Sequence, residues 1–111
     1  MKDGYKFSHW GVPTQEEKDG MTYLADIKTA ITDFAASPFA IEWLRFDDDS
    51  PMPELIQKMP HVAFIVDDIK AALAEEKVIV EPFPVGESLT CAFIDGGGFA
   101  VELTQIGRAH V

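Results

Sequence analysis

A repeated six-residue segment constrains the fold of this chain more than any other feature. It occurs as FAIEWL at residues 39–44 and as FAVELT at residues 99–104. Both copies are mostly apolar and strand-like, and both carry one glutamate at the fourth position, Glu42 and Glu102. A carboxylate on a buried surface is costly without a partner. The repeat therefore predicts two related halves whose glutamates share a partner.

The length of 111 residues predicts one domain with a modest hydrophobic core. We expect a single domain over residues 1–111, with a first module at about 5–46 and a second at about 60–106. The linker between them, residues 47–59, opens with three aspartates and contains two prolines, which disfavour a strand or a helix interior. We interpret the aspartates as a solvated joint, because a calcium loop needs more oxygen ligands at wider spacing.

The charge and the cysteine content exclude several classes of partner and site. A formal net charge of −10 disfavours nucleic acid and anionic membranes but tolerates a bound cation. No apolar run reaches the length of a membrane-spanning helix, and the first residues do not resemble a signal peptide. The single cysteine, Cys91, excludes an internal disulfide and a cysteine-clustered zinc site. We expect a cytoplasmic protein that binds a small molecule.

The first half is predicted to be mainly strands. Strands are expected at residues 5–12 and 39–46, with a loop at 33–38 that contains a Ser-Pro turn signal. Residues 14–20 allow at most one or two turns of helix. Residues 21–32 alternate between apolar and polar side chains and predict one half-exposed strand.

The second half predicts a helical turn at 54–59, a helix at 68–76, and four strands. The strands are expected at residues 61–66, 78–80, 89–94 and 99–106. The glycine-rich segment 95–98 joins two strands and opens no helix, so it predicts a hairpin turn and not a phosphate-binding loop. The tail, residues 107–111, is predicted to be loose.

Two histidines open the two halves, and small residues accompany them. His9 and His61 lie in the first strand of each half, whereas His110 lies in the tail and is expected to be exposed. Alternate residues of a strand share a face, which places small side chains two positions from each histidine and glutamate: Gly11, Ala40, Ala63 and Ala100. Two imidazoles and two carboxylates around a hollow suit a divalent first-row metal. The residues alone leave an alternative open. The histidines could have a structural role, and each glutamate could be paired with a lysine or an arginine.

Four segments together resemble one protein family. Residues 8–13 (SHWGVP) and 60–69 (PHVAFIVDDI) are similar to the module openings of the vicinal oxygen chelate superfamily, which includes glyoxalase I, bleomycin-resistance proteins and extradiol dioxygenases. Residues 41–46 (IEWLRF) and 98–103 (GFAVEL) are similar to its module endings. The resemblance implies an α+β fold. Two tandem βαβββ modules would form a curved, cup-like mixed sheet around a central site.

The resemblance to glyoxalase I also implies a set of site residues. The metal ligands would be His9, Glu42, His61 and Glu102, and the ion would be Ni, Zn, Co, Mn or Fe. Glu42 or Glu102 would move a proton as the catalytic carboxylate, next to a metal-stabilised enediolate. The activity implied is that of a lyase, isomerase or epimerase acting beside a carbonyl, such as a lactoylglutathione lyase-like enzyme.

Two other functions occur within the same family. A bleomycin-resistance-like protein would use the cup to bind a small molecule without chemistry. A ring-cleaving oxygenase would use two histidines and one glutamate, and Glu42 as a fourth ligand would occupy a position that oxygen needs. No residue can be assigned to glutathione or coenzyme A recognition.

The chain departs from the family in its first module, where the helix after the opening strand is shortened. A thin outer layer is expected to expose sheet surface around Ile41 and Trp43. We expect a second subunit to cover this surface in a homodimer.

Overall fold

Eight strands and two short helices make up the fold in a computed structural model that describes residues 1–107. The predicted loose tail, residues 107–111, lies outside the described residues except for Gly107. The predicted exposure of His110 lies wholly outside them. The helices are α1 (Glu54–Lys58) and α2 (Ile69–Leu73). The strands are β1 (Lys6–Pro13), β2 (Thr22–Leu24), β3 (Thr29–Ile31), β4 (Ile41–Phe46), β5 (His61–Ile65), β6 (Val78–Val85), β7 (Leu89–Asp95) and β8 (Ala100–Ile106).

All eight strands belong to one mixed sheet with the order β2-β3-β4-β1-β5-β8-β7-β6. The central pair, β1 and β5, is antiparallel. On either side of it the same pattern repeats, because β1 pairs in parallel with β4 and β5 pairs in parallel with β8. The sheet is curled into a half-barrel. The predicted α+β fold with a cup-like mixed sheet is confirmed.

Two apolar clusters lie on opposite faces of this sheet. On the outer face α2 packs against β7 and β8, and the buried members are Val66, Ile69, Ala92, Ile94 and Leu103. On the inner face the segment around α1 enters the cup, and the buried members are Met52, Ile56, Phe93 and Ala100. Burial of these side chains stabilises both layers by about 1.5–3 kcal/mol for each large residue.

The prediction of one strand over residues 21–32 is wrong. The segment forms a hairpin, in which β2 and β3 are antiparallel and a 3₁₀ turn, Ala25–Ile27, joins them. Lys28 ends the turn with a left-handed backbone (φ 48°), and the hydroxyl of Thr29 donates to the carbonyl of Ile27 (2.8 Å). The alternation of apolar residues continues through the turn, so periodicity alone does not reveal it. Residues 14–20 form no helix.

The fourth strand begins two residues later than predicted. Ala40 has a left-handed backbone (φ 55°) and lies before β4, so it does not share a strand face with Glu42. Its carbonyl still accepts a hydrogen bond from the backbone N–H of Trp10 (2.8 Å). The predicted loop at 33–38 contains a 3₁₀ turn, Phe34–Ala36, and the Asp33 carboxylate caps it by accepting a hydrogen bond from the backbone N–H of Ala35 (2.9 Å).

The second half follows the prediction more closely. Both helices are confirmed, although α2 is shorter than expected, and the hairpin at 95–98 joins β7 to β8. The strand predicted at 78–80 continues to Val85 despite Pro82 and Pro84. Proline is tolerated there because β6 is an edge strand that pairs only with β7, through an irregular register between Val80 and Phe83.

The outer face of the first half carries exposed aromatic side chains, though not those expected. Trp43 is half-buried, and Lys18 lies over its ring with the ammonium 4.5 Å from the centroid. The exposed aromatic residues of this half include Phe7 (48%) and Trp10 (41%) on β1, whose ring centroids are 6.2 Å apart. Tyr23 (53%) on β2 and Phe39 (73%) before β4 are exposed as well. The homodimer expected on this face stays a prediction.

Among residues 1–107, no helix is long and apolar enough to span a membrane.

Candidate metal centre

The central strand pairs bring the four predicted ligands to one face of the sheet. In the antiparallel pair, Gly11 lies opposite His61 and His9 lies opposite Ala63. In the flanking parallel pairs, Gly11 lies beside Glu42, and Ala63 lies beside Glu102. Residues that pair in register point to the same face. The histidines and glutamates therefore converge inside the cup.

A β-bulge in β1 adds one residue to this face. Phe7 pairs with Phe64 and His9 pairs with Ala63, so Ser8 is an extra residue without a partner across the strand. The bulge lets both Ser8 and His9 face the cavity. It also places Phe7 and Trp10 on the same outer face, where their rings meet.

Three of the four predicted ligands form a tight, buried cluster. One donor atom from each of His9, His61 and Glu102 lies within 4.8 Å of the others, and all three residues are buried. The Nε2 atom of His61 is 3.2 Å from Oε1 of Glu102. The Nε2 atom of His9 is 3.8 Å from the other carboxylate oxygen, Oε2. These residues lie close enough to bind a metal.

Glu42 lies at the edge of this cluster. Its Oε1 atom is 3.7 Å from Nε2 of His9, and its side chain is 13% exposed. Among the residues that the structure describes, no hydrogen bond holds the Glu42 carboxylate, whereas Glu102 is held on both oxygens. The two glutamates of the repeated segment are therefore not equivalent.

The donor set fits a divalent cation. The Nε2 atom of His9 is buried and has no hydrogen-bond partner among the described residues. Its carboxylate neighbours, at 3.7 and 3.8 Å, are too distant to be hydrogen-bonded to it. Ligand atoms about 2.1 Å from a common ion lie roughly 3–4 Å from each other. An ion among these atoms would supply the partner that the imidazole lacks.

Several residues that the sequence did not identify orient the two imidazoles. The hydroxyl of Ser8 is 2.8 Å from Nδ1 of His9. The ring of Phe34 stacks on His9 with centroids 4.3 Å apart, and Phe93 meets the His61 ring edge-on at 5.0 Å. Such contacts fix the ring orientation of a metal-binding histidine. The position of Ser8 next to His9 was a usable signal, but nothing in the sequence connects Phe34 with His9.

A short chain of polar side chains holds Glu102. The hydroxyl of Thr104 donates to Oε2 of Glu102 (2.8 Å), and the sulfur of Cys91 lies 3.5 Å from that hydroxyl. Since Thr104 donates to the carboxylate, its oxygen is free to accept from the thiol. Burial raises the pKa of Cys91 to about 12, with repulsion from Glu102 adding to the effect. Cys91 therefore remains a thiol and does not act as a nucleophile.

The electrostatics of the metal-free site separate the two carboxylates. Burial raises the pKa of Glu42 to about 8, and the negative charges of Glu102 and Asp33 add to the rise. Burial alone would also raise the pKa of Glu102, but the hydrogen bond and charge of His61, with smaller contributions from His9 and Thr104, lower it overall. Burial lowers the pKa of His9. At neutral pH the site thus has a neutral His9, an ionised Glu102 and a mostly protonated Glu42.

The cluster lies on the wall of a mainly apolar cavity with a volume of about 410 Å³. All four predicted ligands line it, as do Ser8, Phe34, Cys91 and Thr104. The volume is typical of sites for small molecules. Apolar side chains make up most of the remaining wall.

Comparison with solved structures supports the fold assignment. The chain is similar to the crystal structure of hypothetical protein BH1468 from Bacillus halodurans C-125, with a TM-score of 0.72 and 21% identity over 98% of this chain and 99% of that one. It is also similar to methylmalonyl-CoA epimerase from Mycobacterium tuberculosis, with a TM-score of 0.63 and 17% identity over 93% of this chain and 89% of that one. At these identities the likeness establishes the fold alone. No protein-family model and no curated protein matches the sequence.

The first prediction concerns the contact between Gly11 and the His61 ring. A Cβ atom on Gly11 would lie 2.2 Å from Cε1 and 2.3 Å from Nε2 of His61. We expect Gly11→Ala to lower the free energy of unfolding by about 1–3 kcal/mol, because the ring or the strand must move. In a His61→Ala background the same substitution is expected to be neutral or slightly stabilising. Urea denaturation of the four proteins in this double-mutant cycle measures the coupling. Equal effects of Gly11→Ala in both backgrounds would contradict the close contact.

The second prediction follows from the raised pKa of Glu42. The pKa of Glu42 is about 8 in the folded protein, against an ordinary value of 4.5. The unfolded chain therefore releases this proton at lower pH than the folded protein, so the free energy of unfolding is highest at low pH and falls as the pH rises from 4.5 through 8. Glu42→Gln cannot ionise and avoids this loss. We expect the chelator-treated variant to be close to the wild type in stability near pH 5 and to exceed it by about 4 kcal/mol at pH 9, at about 1.4 kcal/mol per pKa unit.

Urea denaturation at several pH values measures this difference. Glu81→Gln, which removes an exposed carboxylate, controls for the change in net charge. A wild-type protein that keeps its stability relative to Glu42→Gln across this range would show that Glu42 ionises without cost.

Proposed function

We propose that this chain is a small member of the vicinal oxygen chelate family and a metal-dependent lyase, isomerase or epimerase that acts next to a carbonyl group. The observation that carries the proposal is the buried cluster of His9, His61 and Glu102, with Glu42 beside it, on the wall of an apolar cavity. Buried carboxylates without lysine or arginine partners are rare unless a cation or a reaction needs them.

The proposed ligands are His9, His61, Glu102 and Glu42, and the ion would be Ni, Zn, Co, Mn or Fe. Two nitrogen and two carboxylate donors suit any of these metals. When bound, the ion would act as a Lewis acid that polarises a carbonyl oxygen and stabilises negative charge beside it. The hydrogen bond between Ser8 and Nδ1 of His9 would present Nε2 of that ring toward the ion.

The unequal environments of the two glutamates suggest a division of roles. Glu102 accepts a hydrogen bond from the Thr104 hydroxyl, which metal binding would leave in place, and this suits a permanent ligand. Glu42 has no hydrogen bond from the described residues, and its pKa of about 8 lies near neutral pH. A carboxylate that can change position and exchange a proton near pH 7 is suited to general acid–base catalysis. We therefore assign proton transfer to the Glu42 carboxylate.

The walls of the cup would keep water away from this proton transfer. Phe34 covers His9 on one side, and Phe93 and Ile56 enclose the site from the other half of the cup. A dry environment strengthens the electrostatic effect of each polar group at the site. The similarity in fold to methylmalonyl-CoA epimerase agrees with chemistry at a carbon next to a carbonyl, although the substrate is not transferred at 17% identity.

The alternative function is non-catalytic binding of a small molecule, as in bleomycin-resistance proteins. The apolar wall of the cavity favours it, since such a cup can hold a ligand without using the metal cluster. The two functions differ in what the cluster contributes. In a binding protein, His61→Ala and Glu102→Ala would leave ligand affinity largely intact.

The third prediction is stoichiometric binding of a divalent metal. Chelator-treated protein titrated with Ni²⁺, Co²⁺, Zn²⁺ or Mn²⁺ in a calorimeter is expected to bind one equivalent of at least one of them. His9→Ala and Glu102→Ala are expected to weaken binding at least 100-fold, because each removes a ligand. His110→Ala is the matched control and is expected to bind like the wild type. Absence of stoichiometric binding for all four ions would refute the proposed function.

The fourth prediction separates the catalytic from the binding function. In D₂O, the metal-loaded protein is expected to speed exchange of the C–H protons next to the carbonyl of 2-hydroxyacetophenone at least 100-fold over the free metal, as measured by ¹H NMR. Glu42→Gln is expected to retain metal and to lose most of this acceleration. Exchange that is unchanged in Glu42→Gln would overturn the role given to that residue.

Methylmalonyl-CoA and hydroxyacetone serve as additional substrates in the same assay. Bound metal without exchange on any of the three compounds would favour the binding protein over the enzyme.

A further inference from the structure

The distribution of charge around the cup restricts what it can bind. The lining includes many apolar side chains, among them Leu44, Phe46, Ile56, Phe83, Leu89 and Phe93. Its candidate metal ligands form the His–Glu cluster, which consists of His9, His61, Glu102 and the adjacent Glu42. Thr22, Thr32 and Asp33 are further polar residues of the lining. A ligand that fills the cup would therefore meet hydrogen-bonding and metal-binding groups at one end and hydrocarbon over most of its remaining surface.

No lysine or arginine from the described residues lines this cavity. Its ionisable residues are His9, His61, Cys91 and three acids: Asp33, Glu42 and Glu102. A carboxylate or phosphate inside the cup would lose its hydration and face these acids without a cationic side chain to replace the water. Burial of an anion without a partner is strongly unfavourable.

More than half of the lysine and arginine residues in the described part of the chain are paired with acids outside the cavity. Five lysines form ion pairs with acidic side chains outside the cavity lining: Lys2 with Glu76, Lys18 with Glu16, Lys28 with Asp49, Lys58 with Glu54, and Lys77 with Asp95. The net charge of −10 adds a negative background field. Thus neither the cup wall nor the surrounding charge favours an anionic ligand.

We infer that the substrate or ligand of this cup is an uncharged, mainly hydrocarbon or aromatic molecule that carries its oxygen atoms at one end. The oxygens would meet the His–Glu cluster, and the apolar body would lie against the walls from β3, β4, β6 and β7. The inference about the oxygen-bearing end rests on the proposed function, whereas the apolar, uncharged body follows from the lining alone. A carboxylate on the apolar body, away from the cluster, would have no cationic side chain in the described lining as its partner.

Two fluorescent probes that differ by one charged group test the inference. N-phenyl-1-naphthylamine is uncharged, and 1-anilinonaphthalene-8-sulfonate has the same skeleton with an added sulfonate. We expect chelator-treated wild-type protein to bind the uncharged probe at least tenfold more tightly, as measured by fluorescence titration. Equal or tighter binding of the sulfonate would overturn the inference. Because the protein is metal-free, a failure here is distinct from a failure to bind metal.

Two pairs of variants locate the binding and test the charge argument. Ile31→Trp narrows the cup and is expected to weaken binding of the uncharged probe at least fivefold, whereas Trp10→Ala removes an exposed outer side chain and is expected to have no effect. Thr22→Arg adds a cation to the cup and is expected to strengthen binding of the sulfonate at least fivefold. Tyr23→Arg, next to it but outside the lining, is the control.

Each outcome of these variants bears on the inference. If Trp10→Ala weakens binding of the uncharged probe and Ile31→Trp does not, the probe binds on the outer face, and the assignment to the cup is refuted. Sulfonate binding that rises equally in Thr22→Arg and Tyr23→Arg would reflect the change in net charge, and would refute the argument from the missing cation in the lining.

Discussion

The pairing of β1 with β5 is the contact on which the site depends. It joins the two halves at the centre of the sheet and places the backbone of Gly11 against the ring of His61. The parallel partners of these strands then add Glu42 and Glu102 at the same level. One antiparallel pair and two parallel pairs thereby assemble four ligands from sequence positions far apart. Small residues are needed at the crossing point because a strand backbone and an imidazole share the space.

Much of this arrangement could be predicted from the sequence, because strand parity and the repeated segment carry the information. His9, His61 and Glu102 converge as their positions in the strands indicate. Three features escaped prediction, each for a local reason. The bulge at Ser8 does not change the pattern of apolar and polar residues in the sequence. The turn Ala25–Ile27 continues the alternation of apolar and polar residues of the strands on either side. Ala40 adopts a left-handed backbone that its residue type does not favour.

The two halves share a topology but not an environment. In the second half α2 covers the outer face of the sheet, and the hydrogen bonds of His61 and Thr104 hold Glu102. In the first half no α-helix covers the sheet between β1 and β2, and no described residue donates a hydrogen bond to Glu42. A duplicated segment thus provides one rigid carboxylate and one that is less constrained. Proton transfer beside a metal needs this combination, since one group must stay in place while the other changes protonation state.

The acidity of the chain and the apolar wall of the cup both favour a bound cation at the site and disfavour an anionic ligand. Burial raises the pKa of Glu42, and the charges of Glu102 and Asp33 add to the rise. The absence of lysine or arginine from the described lining leaves no cationic side chain to neutralise these acids. A divalent cation would relieve this repulsion and would lower the free energy of the folded protein by binding to it. An anionic ligand cannot supply that positive charge. The same electrostatic field that makes the His–Glu cluster receptive to a metal therefore also selects a neutral molecule for the rest of the cup.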